Sequence, residues 1–269
     1  MDNQNKMSVP VAIIIAGIVI AGAIFFSRGT QSPTTKNGSA DNQSLVAIKT
    51  IDFTPVTDKD HILGDPNASI VVVTYTDLEC PACKYFDPIL SQMMDEYGKS
   101  SQTALVFRNF PIKELHSKAP KEAEAAECVA QLGGNQKYWD FVNKIYDVTP
   151  ANNGLDPAQL PIIASGVGID KTKFNTCLDS GKNATIVSAD YNTGVQAGVQ
   201  GTPTSFLVLK KPLSKDATDR VLTATSAFKD QSGQSLVIVG NNGSIVEIAA
   251  AFPYQGLKQI IDAILAEQK

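Results

Sequence analysis

The sequence has few side chains able to bind metal or carry electrons. Its 269 residues include four cysteines and two histidines. Two cysteines stand together as Cys80-Pro81-Ala82-Cys83, whereas Cys128, Cys177, His61 and His116 are singly placed. Structural zinc takes four ligands, usually from two closely spaced pairs, so this spacing argues against a zinc site. No other metal or cofactor is called for. Lys and Arg number 23 against 27 Asp and Glu, a net charge of −4. No basic stripe stands out, which argues against nucleic-acid binding. The chain has no internal repeat.

An uncharged apolar run extends from Val9 to Phe26 and is just long enough to cross a bilayer as a helix. A cleaved signal peptide would have a shorter apolar stretch and a more basic start. Ala21-Gly22-Ala23 nevertheless has the small residues of a cleavage site, so both fates stand open. No cysteine follows closely, so nothing suggests lipoprotein processing. Lys6 lies before the run and Arg28 and Lys36 after it, so the positive-inside rule does not orient it. The even cysteine count suits an oxidising compartment. On that ground the expected arrangement is a single-pass cell-membrane protein. Residues 1–26 would be a cytoplasmic stub and membrane anchor, 27–48 a flexible linker rich in Ser, Thr, Asn, Gln and Gly, and 49–269 an extracytoplasmic domain in the periplasm or at the cell exterior.

That domain is organised around residues 70–86. The β-branched run Ile70 to Thr76 predicts a fully buried strand. A short polar turn leads to Cys80 and a helix reaching about Tyr97. Pro81 suits the first helical turn, where its missing N–H is not needed, so Cys80 falls at the helix N-terminus. Unpaired amides and the helix dipole favour a thiolate there, and such sites can lower a cysteine pKa to roughly 3.5–7.5. Cys83 follows one turn later on the same face, within reach of a disulfide with Cys80. One thiol exchanges with an outside partner and the other resolves the mixed disulfide, the minimum needed for thiol–disulfide exchange. A purely structural bridge across the helix start is the bland alternative.

Further along, Asp65-Pro66-Asn67 is a turn before the first strong strand, and Ile51–Val56 is an extended piece expected against the sheet edge. Thr103–Arg108 predicts a second buried strand, parallel to the first through a right-handed helical crossover. Residues 112–198 read as helical, with segments at Ala119–Leu132, Gln136–Tyr146, Leu155–Ser165, Lys171–Ser180 and Ala184–Val199. The aromatic row Tyr138, Trp139, Phe141 and Tyr146 reads as helical core. A strand follows Gly201-Thr202-Pro203, and 210–234 reads as a polar surface excursion. Ser235–Val239 and Ser244–Ile248 flank a hairpin turn at Gly240-Asn241-Asn242-Gly243. Tyr254–Glu267 is an amphipathic helix. This βαβ, helical block, ββα order resembles an α/β thioredoxin fold, a central mixed sheet with a helical insertion at about 112–198, preceded by the N-terminal transmembrane helix.

From about Asp65 onward the chain resembles the DsbA-like thiol–disulfide oxidoreductases, including membrane-anchored members. The resemblance rests on Asp65-Pro66-Asn67-Ala68, Cys80-Pro81-Ala82-Cys83, and His116 followed by Ala125-Ala126-Glu127-Cys128. It continues through Lys137-Tyr138-Trp139, Phe174–Gly181, Gly198-Val199-Gln200-Gly201-Thr202-Pro203-Thr204 and Pro253-Tyr254. It implies a cis Thr202–Pro203 bond beside the cysteines, in a loop that pairs with an extended substrate by strand addition. It also implies a Cys128–Cys177 bridge, whose loop of about 50 residues would stabilise by roughly 4 kcal/mol in the chain-entropy model. Two free buried thiols are the alternative.

Two departures from the family pattern matter. The strand position that often holds a buried acid is Thr74, leaving that role vacant or to Asp77 or Glu79. Ala82 stands where strong oxidants often have histidine, and Glu79 beside Cys80 is expected to oppose a thiolate. A weaker oxidant than the strongest members is therefore expected. The resemblance implies an extracytoplasmic disulfide-forming oxidase with Cys80 as nucleophile and Cys83 as partner. Its partners would be reduced or misoxidised exported proteins and a quinone-linked membrane protein, and the chain would act as a monomer. A reductase or isomerase using the same pair, and a non-catalytic binding module, are the competing readings.

Overall fold

The computed structural model of the protein describes residues 49–268. The apolar run Val9–Phe26 and the linker 27–48 lie outside the described residues. Among those described, no helix is long and apolar enough to cross a membrane.

The strands are β1 (His61–Gly64), β2 (Ile70–Thr76), β3 (Thr103–Asn109), β4 (Thr204–Leu209), β5 (Val237–Gly240) and β6 (Ile245–Ile248). They form one sheet in the order β1-β3-β2-β4-β6-β5. β2 and β3 are parallel, with Ile70 opposite Thr103 and Thr76 opposite Asn109, and are joined by helix α1 (Pro81–Tyr97). Every other pair is antiparallel. The central strands are apolar along their length because both faces are covered. Ile70, Val72, Leu105, Phe107 and Leu207 face the core beneath α1 and α8 (Tyr254–Leu265). Val73, Tyr75, Val106 and Phe206 face the other way. On α8, Leu257, Ile260, Ile261 and Ile264 are fully buried at helical spacing. Each such side chain contributes about 1.5–3 kcal/mol, so packing rather than helix propensity holds the chain end in place.

Five helices follow β3: α2 (Ala119–Gly133), α3 (Asn135–Val148), α4 (Leu160–Gly166), α5 (Lys171–Asp179) and α6 (Ala184–Ala197). Tyr138, Trp139, Phe141, Val142, Ile145 and Tyr146 of α3 are all buried. Cys128 on α2 and Cys177 on α5 are joined, with an S–S distance of 2.05 Å. Helix α6 closes the second face of the sheet. Its Gly194 comes so near Phe110 and Tyr75 that an added Cβ would lie 2.6 and 2.9 Å from their rings, so only glycine permits this approach.

Three local features differ from the sequence-based expectations. Residues 61–64 form the edge strand β1, antiparallel to β3, a strand that the sequence did not announce. Three half-buried residues and an exposed glycine give no usable alternation. The segment 51–56 does not stay at the sheet edge. Lys49 bridges to Gly240 of the edge strand β5, but Ile51, Phe53 and Val56 then pack with Val73, Tyr75 and Phe206 on the sheet face. The 210–234 excursion contains a helix, α7 (Lys215–Ala224), capped by Ser214, whose hydroxyl accepts the Ala217 N–H at 3.2 Å. Only Ala217 and Val221 of α7 are buried, too few apolar positions to announce it.

Arg108 pins the crossing segment. It is 3% exposed and donates to Asp60 from Nε at 2.8 Å and Nη2 at 3.3 Å, and to the carbonyls of Thr54 and Pro55. Removing one partner of a buried ion pair strands the other, at a cost of about 3–5 kcal/mol. Arg108→Ala is therefore expected to destabilise the fold by that amount in urea unfolding. A loss under about 1 kcal/mol would show that the pair does not hold the segment.

Candidate active site

β2 delivers the chain into a tight turn, and the turn delivers Cys80 to the N-cap of α1, with Pro81 as the first helical residue. The Cys80 N–H donates to the Asp77 carbonyl at 3.1 Å, and the Cys80 carbonyl accepts the Lys84 N–H at 3.0 Å. The expected strand, turn and helix start are thus all present. Cys80 and Cys83 are unbridged thiols, 7% and 2% exposed. Across from them the Thr202–Pro203 bond is cis. The Cys80 thiol donates to the Thr202 carbonyl at 3.4 Å, so residues 122 positions apart meet at one sulfur.

The two thiols have opposite electrostatics. Cys80 is drawn down from its ordinary value to about 6, first by the Cys83 thiol, which donates to its sulfur, and further by the Thr202 side-chain hydroxyl and the amides of Cys83 and Ala82, against the effect of burial. Cys83 is pushed well above the ordinary thiol range by burial and by the neighbouring Cys80 sulfur. The pair carries one negative charge, held on the sulfur nearer the surface. The amides are those of a helix N-terminus, which favours an anion.

Beneath the cysteines lies a polar layer that the sequence did not announce. The Thr76 hydroxyl and the Asp77 backbone partly offset the burial of Cys83. Thr76 Oγ1 is 2.7 Å from the Tyr146 hydroxyl, which also donates to the Asp77 carbonyl at 3.4 Å. Tyr146 therefore serves the site as well as the helical core. Asp87, one turn beyond Cys83, has its carboxyl raised to about 6 by burial and by Asp147. Thr74 pairs with Ser205 at 2.9 Å, so no acid occupies that strand position. Asp77 and Glu79 are both buried. Asp77 accepts from the Glu79 and Ile112 amides and from His116 Nδ1. Glu79 accepts from the Gly154 and Leu155 amides. The Glu79 carboxylate is thus engaged with the 154–155 loop, a placement that adjacency to Cys80 in the sequence did not reveal.

Among the described residues, no group of His, Cys, Asp and Glu side chains could hold a metal ion. His61 faces Glu127 at 3.1 Å, and His116 faces Asp77 at 2.9 Å. A cavity of about 710 Å³ lies between residues such as Asp60, Arg108, Glu127 and Asp190. Neither Cys80 nor Cys83 lines it.

A dithiol at a strand-to-helix turn, faced by a cis-proline loop, defines a thioredoxin-type protein. Residues 56–223 match the family model described as thioredoxin, and the chain belongs to that family. Its architecture is that of DsbA-type proteins. It superposes on oxidised BdbD from Bacillus subtilis with a TM-score of 0.60 at 19% identity, covering 81% of this chain and 98% of that one. For alpha-DsbA1 from Wolbachia pipientis the TM-score is 0.59 at 19% identity, covering 79% and 94%. For DsbA2 from Pseudomonas aeruginosa it is 0.54 at 20% identity, covering 77% and 96%. In sequence, the chain is 30% identical over 151 residues to the Na(+)/H(+) antiporter NhaA 3 of Salinispora tropica, a match spanning 56% of this chain and 22% of the antiporter. It is 27% identical over 206 residues to NhaA 1 of Mycolicibacterium vanbaalenii, spanning 77% and 31%. The match thus takes in less than a third of these longer proteins.

Alkylation of Cys80, resolved from Cys83 by peptide mass, is expected to have its midpoint near pH 6, falling off as the thiolate is protonated below that. Cys83→Ala removes the largest influence and should move the midpoint upward. A wild-type midpoint of 8 or higher would contradict this account of the site.

Proposed function

We propose that this protein is an extracytoplasmic protein-disulfide oxidase, tethered to the membrane by the apolar segment Val9–Phe26. In its oxidised form, a substrate thiolate attacks Cys80 Sγ. The Cys80–Cys83 bond breaks, its electron pair leaves on Cys83, and that sulfur takes up a proton. The mixed disulfide between substrate and Cys80 is then attacked by a second substrate thiolate. A substrate disulfide forms, and Cys80 departs as a thiolate. The substrate is oxidised by two electrons and the Cys80–Cys83 pair is reduced. Re-oxidation then requires an acceptor, for which we propose a quinone-linked membrane protein. Thr202 and Pro203 shape the groove, where the substrate backbone lies as an added strand.

The observation that carries this reading is the asymmetry of the two thiols. A low-pKa sulfur is a good leaving group, and stabilising it as a thiolate stabilises the reduced pair, which makes the disulfide more oxidising. The Cys128–Cys177 bridge suits an oxidising compartment and supports the extracytoplasmic placement. Ion transport is a property named for the longer relatives and is not part of this proposal.

The test is the Cys80–Cys83 reduction potential of the full chain. The protein is equilibrated with glutathione buffers and trapped with a mass-tagged alkylator that separates this pair from Cys128 and Cys177. A potential well above about −230 mV is expected of an oxidase. A value near −270 mV, that of thioredoxin, would make the reduced form the working one and shift the reading to a reductase. Absence of exchange at every poise would leave only a structural bridge.

A further inference from the structure

Three acids surround the turn that carries Cys80, and all three are buried: Asp77, Glu79 and Glu122, the last two 0% and 2% exposed. A buried carboxylate is stable only where donors satisfy its charge. Asp77 has three, from two amides and His116. Glu79 has two, the Gly154 N–H at 3.1 Å and the Leu155 N–H at 3.2 Å. Both are therefore placed as acceptors.

Glu122 is different. It lies in the first turn of α2, and its Oε2 is buried with no hydrogen-bond partner from any amide, hydroxyl or cation. The groups facing it are Glu79 and Asp77 on the strand-to-helix turn and Lys118 at the start of its own helix. Lys118 is committed elsewhere, its Nζ donating to the Leu155 carbonyl at 2.7 Å. The group within hydrogen-bonding reach is the Glu79 carboxylate. Two carboxylates sharing one dry site do not both ionise. The helix N-terminus favours a negative charge on Glu122, but burial and the Glu79 charge outweigh it. The Glu122 carboxyl is accordingly raised to about 9, burial being the larger cause.

We propose that Glu122 is a protonated carboxylic acid in the folded protein and donates its O–H to Glu79, so that one shared proton ties the residue preceding Cys80 to α2. Glu122 is a positioning residue in this arrangement. The Glu79 carbonyl also accepts the Asn152 N–H at 2.8 Å. Glu79 is thus held on its carbonyl side by the 152–155 loop and on its carboxylate side by both that loop and α2. The orientation of Cys80 toward the Thr202 carbonyl follows from that hold. The proton also limits charge: without it, a second anion would sit beside the Glu79 carboxylate in the turn that carries Cys80. The inference rests on Cys80 being the reactive thiol but not on the direction of electron flow.

Two variants test it in the full chain. Glu122→Gln keeps an N–H donor for Glu79 but cannot titrate. The folded state holds the Glu122 proton up to about pH 9, whereas the unfolded chain loses it near the ordinary carboxyl value of about 4.3. The stabilisation from this group is thus complete below that lower value and is lost as pH rises through the upper one. Between pH 5.5 and 8 the wild-type unfolding constant should rise about tenfold per pH unit relative to that of Glu122→Gln. Parallel pH dependences in the two proteins would overturn the shared proton. For the positioning role, Cys80 alkylation at pH 6 should stay within about threefold of wild type in Glu122→Gln and change tenfold or more in Glu122→Leu, which has no donor. A folded leucine variant with wild-type alkylation would reduce Glu122 to a structural part. If the leucine variant does not fold, Glu122→Asp takes its place, since it keeps the acid but shortens the reach. The oxidase reading fails separately, on the reduction potential.

Discussion

The Asp77 carboxylate accepts hydrogen bonds from the Glu79 amide at 2.8 Å, the Ile112 amide at 2.8 Å and His116 Nδ1 at 2.9 Å. These donors come from the turn that carries Cys80 and from the start of the helical insertion, and Asp77 itself closes β2. One buried anion thus joins the end of the central strand to both segments that must meet there. Hydrogen bonds to a charged group contribute about 1.5–3 kcal/mol each. Cys80 keeps its place at the helix N-terminus because this turn keeps its shape, and the polarity of the two thiols depends on that place.

The site works by contrast in solvation. Cys80 is the less deeply buried of the two, with amides and a neighbouring thiol to stabilise its charge. Cys83, one helical turn deeper, has the Thr76 hydroxyl and little else. No histidine lies between them to enlarge the difference, and Thr74 supplies a hydroxyl rather than an acid. Ionisable support has moved behind the turn, to Asp77, Glu79 and Glu122, and to Asp87 further along α1. The helical insertion is therefore more than a cover. It contributes Tyr146 to the polar layer and Glu122 to the turn, and the Cys128–Cys177 bridge links two of its helices. On the far side of the sheet, Arg108 fixes the segment that covers Tyr75 and Phe206. Both faces of the central strands stay dry.

Much of this was legible in the sequence. The Ile70–Thr76 run, the Cys80-Pro81 helix start, the Asn241-Asn242 hairpin and the apolar stripe of α8 each carry a local physical signature: burial on both faces, the missing proline N–H, residues that accept left-handed backbone, and helical spacing. They are found where the sequence places them. β1 and α7 were not legible, because each is short and half-exposed and leaves too few apolar positions for either period. The path of residues 51–56 was hidden as well. What turns it across the sheet is a contact with Arg108, some 50 positions away.

The sequence by itself therefore determined the order of elements and the position of the Cys80–Cys83 pair at a helix N-terminus, because those depend on neighbours along the chain. Tertiary structure alone decided which carboxyls are buried together and what lies beneath the sulfurs. Glu122 looks like a surface charge in an alanine- and glutamate-rich helix, and Tyr146 like one more core aromatic. Protonation and hydrogen bonding in a dry site are set by distance and solvent exclusion. Those are fixed only when the strand, the turn and the insertion have packed together.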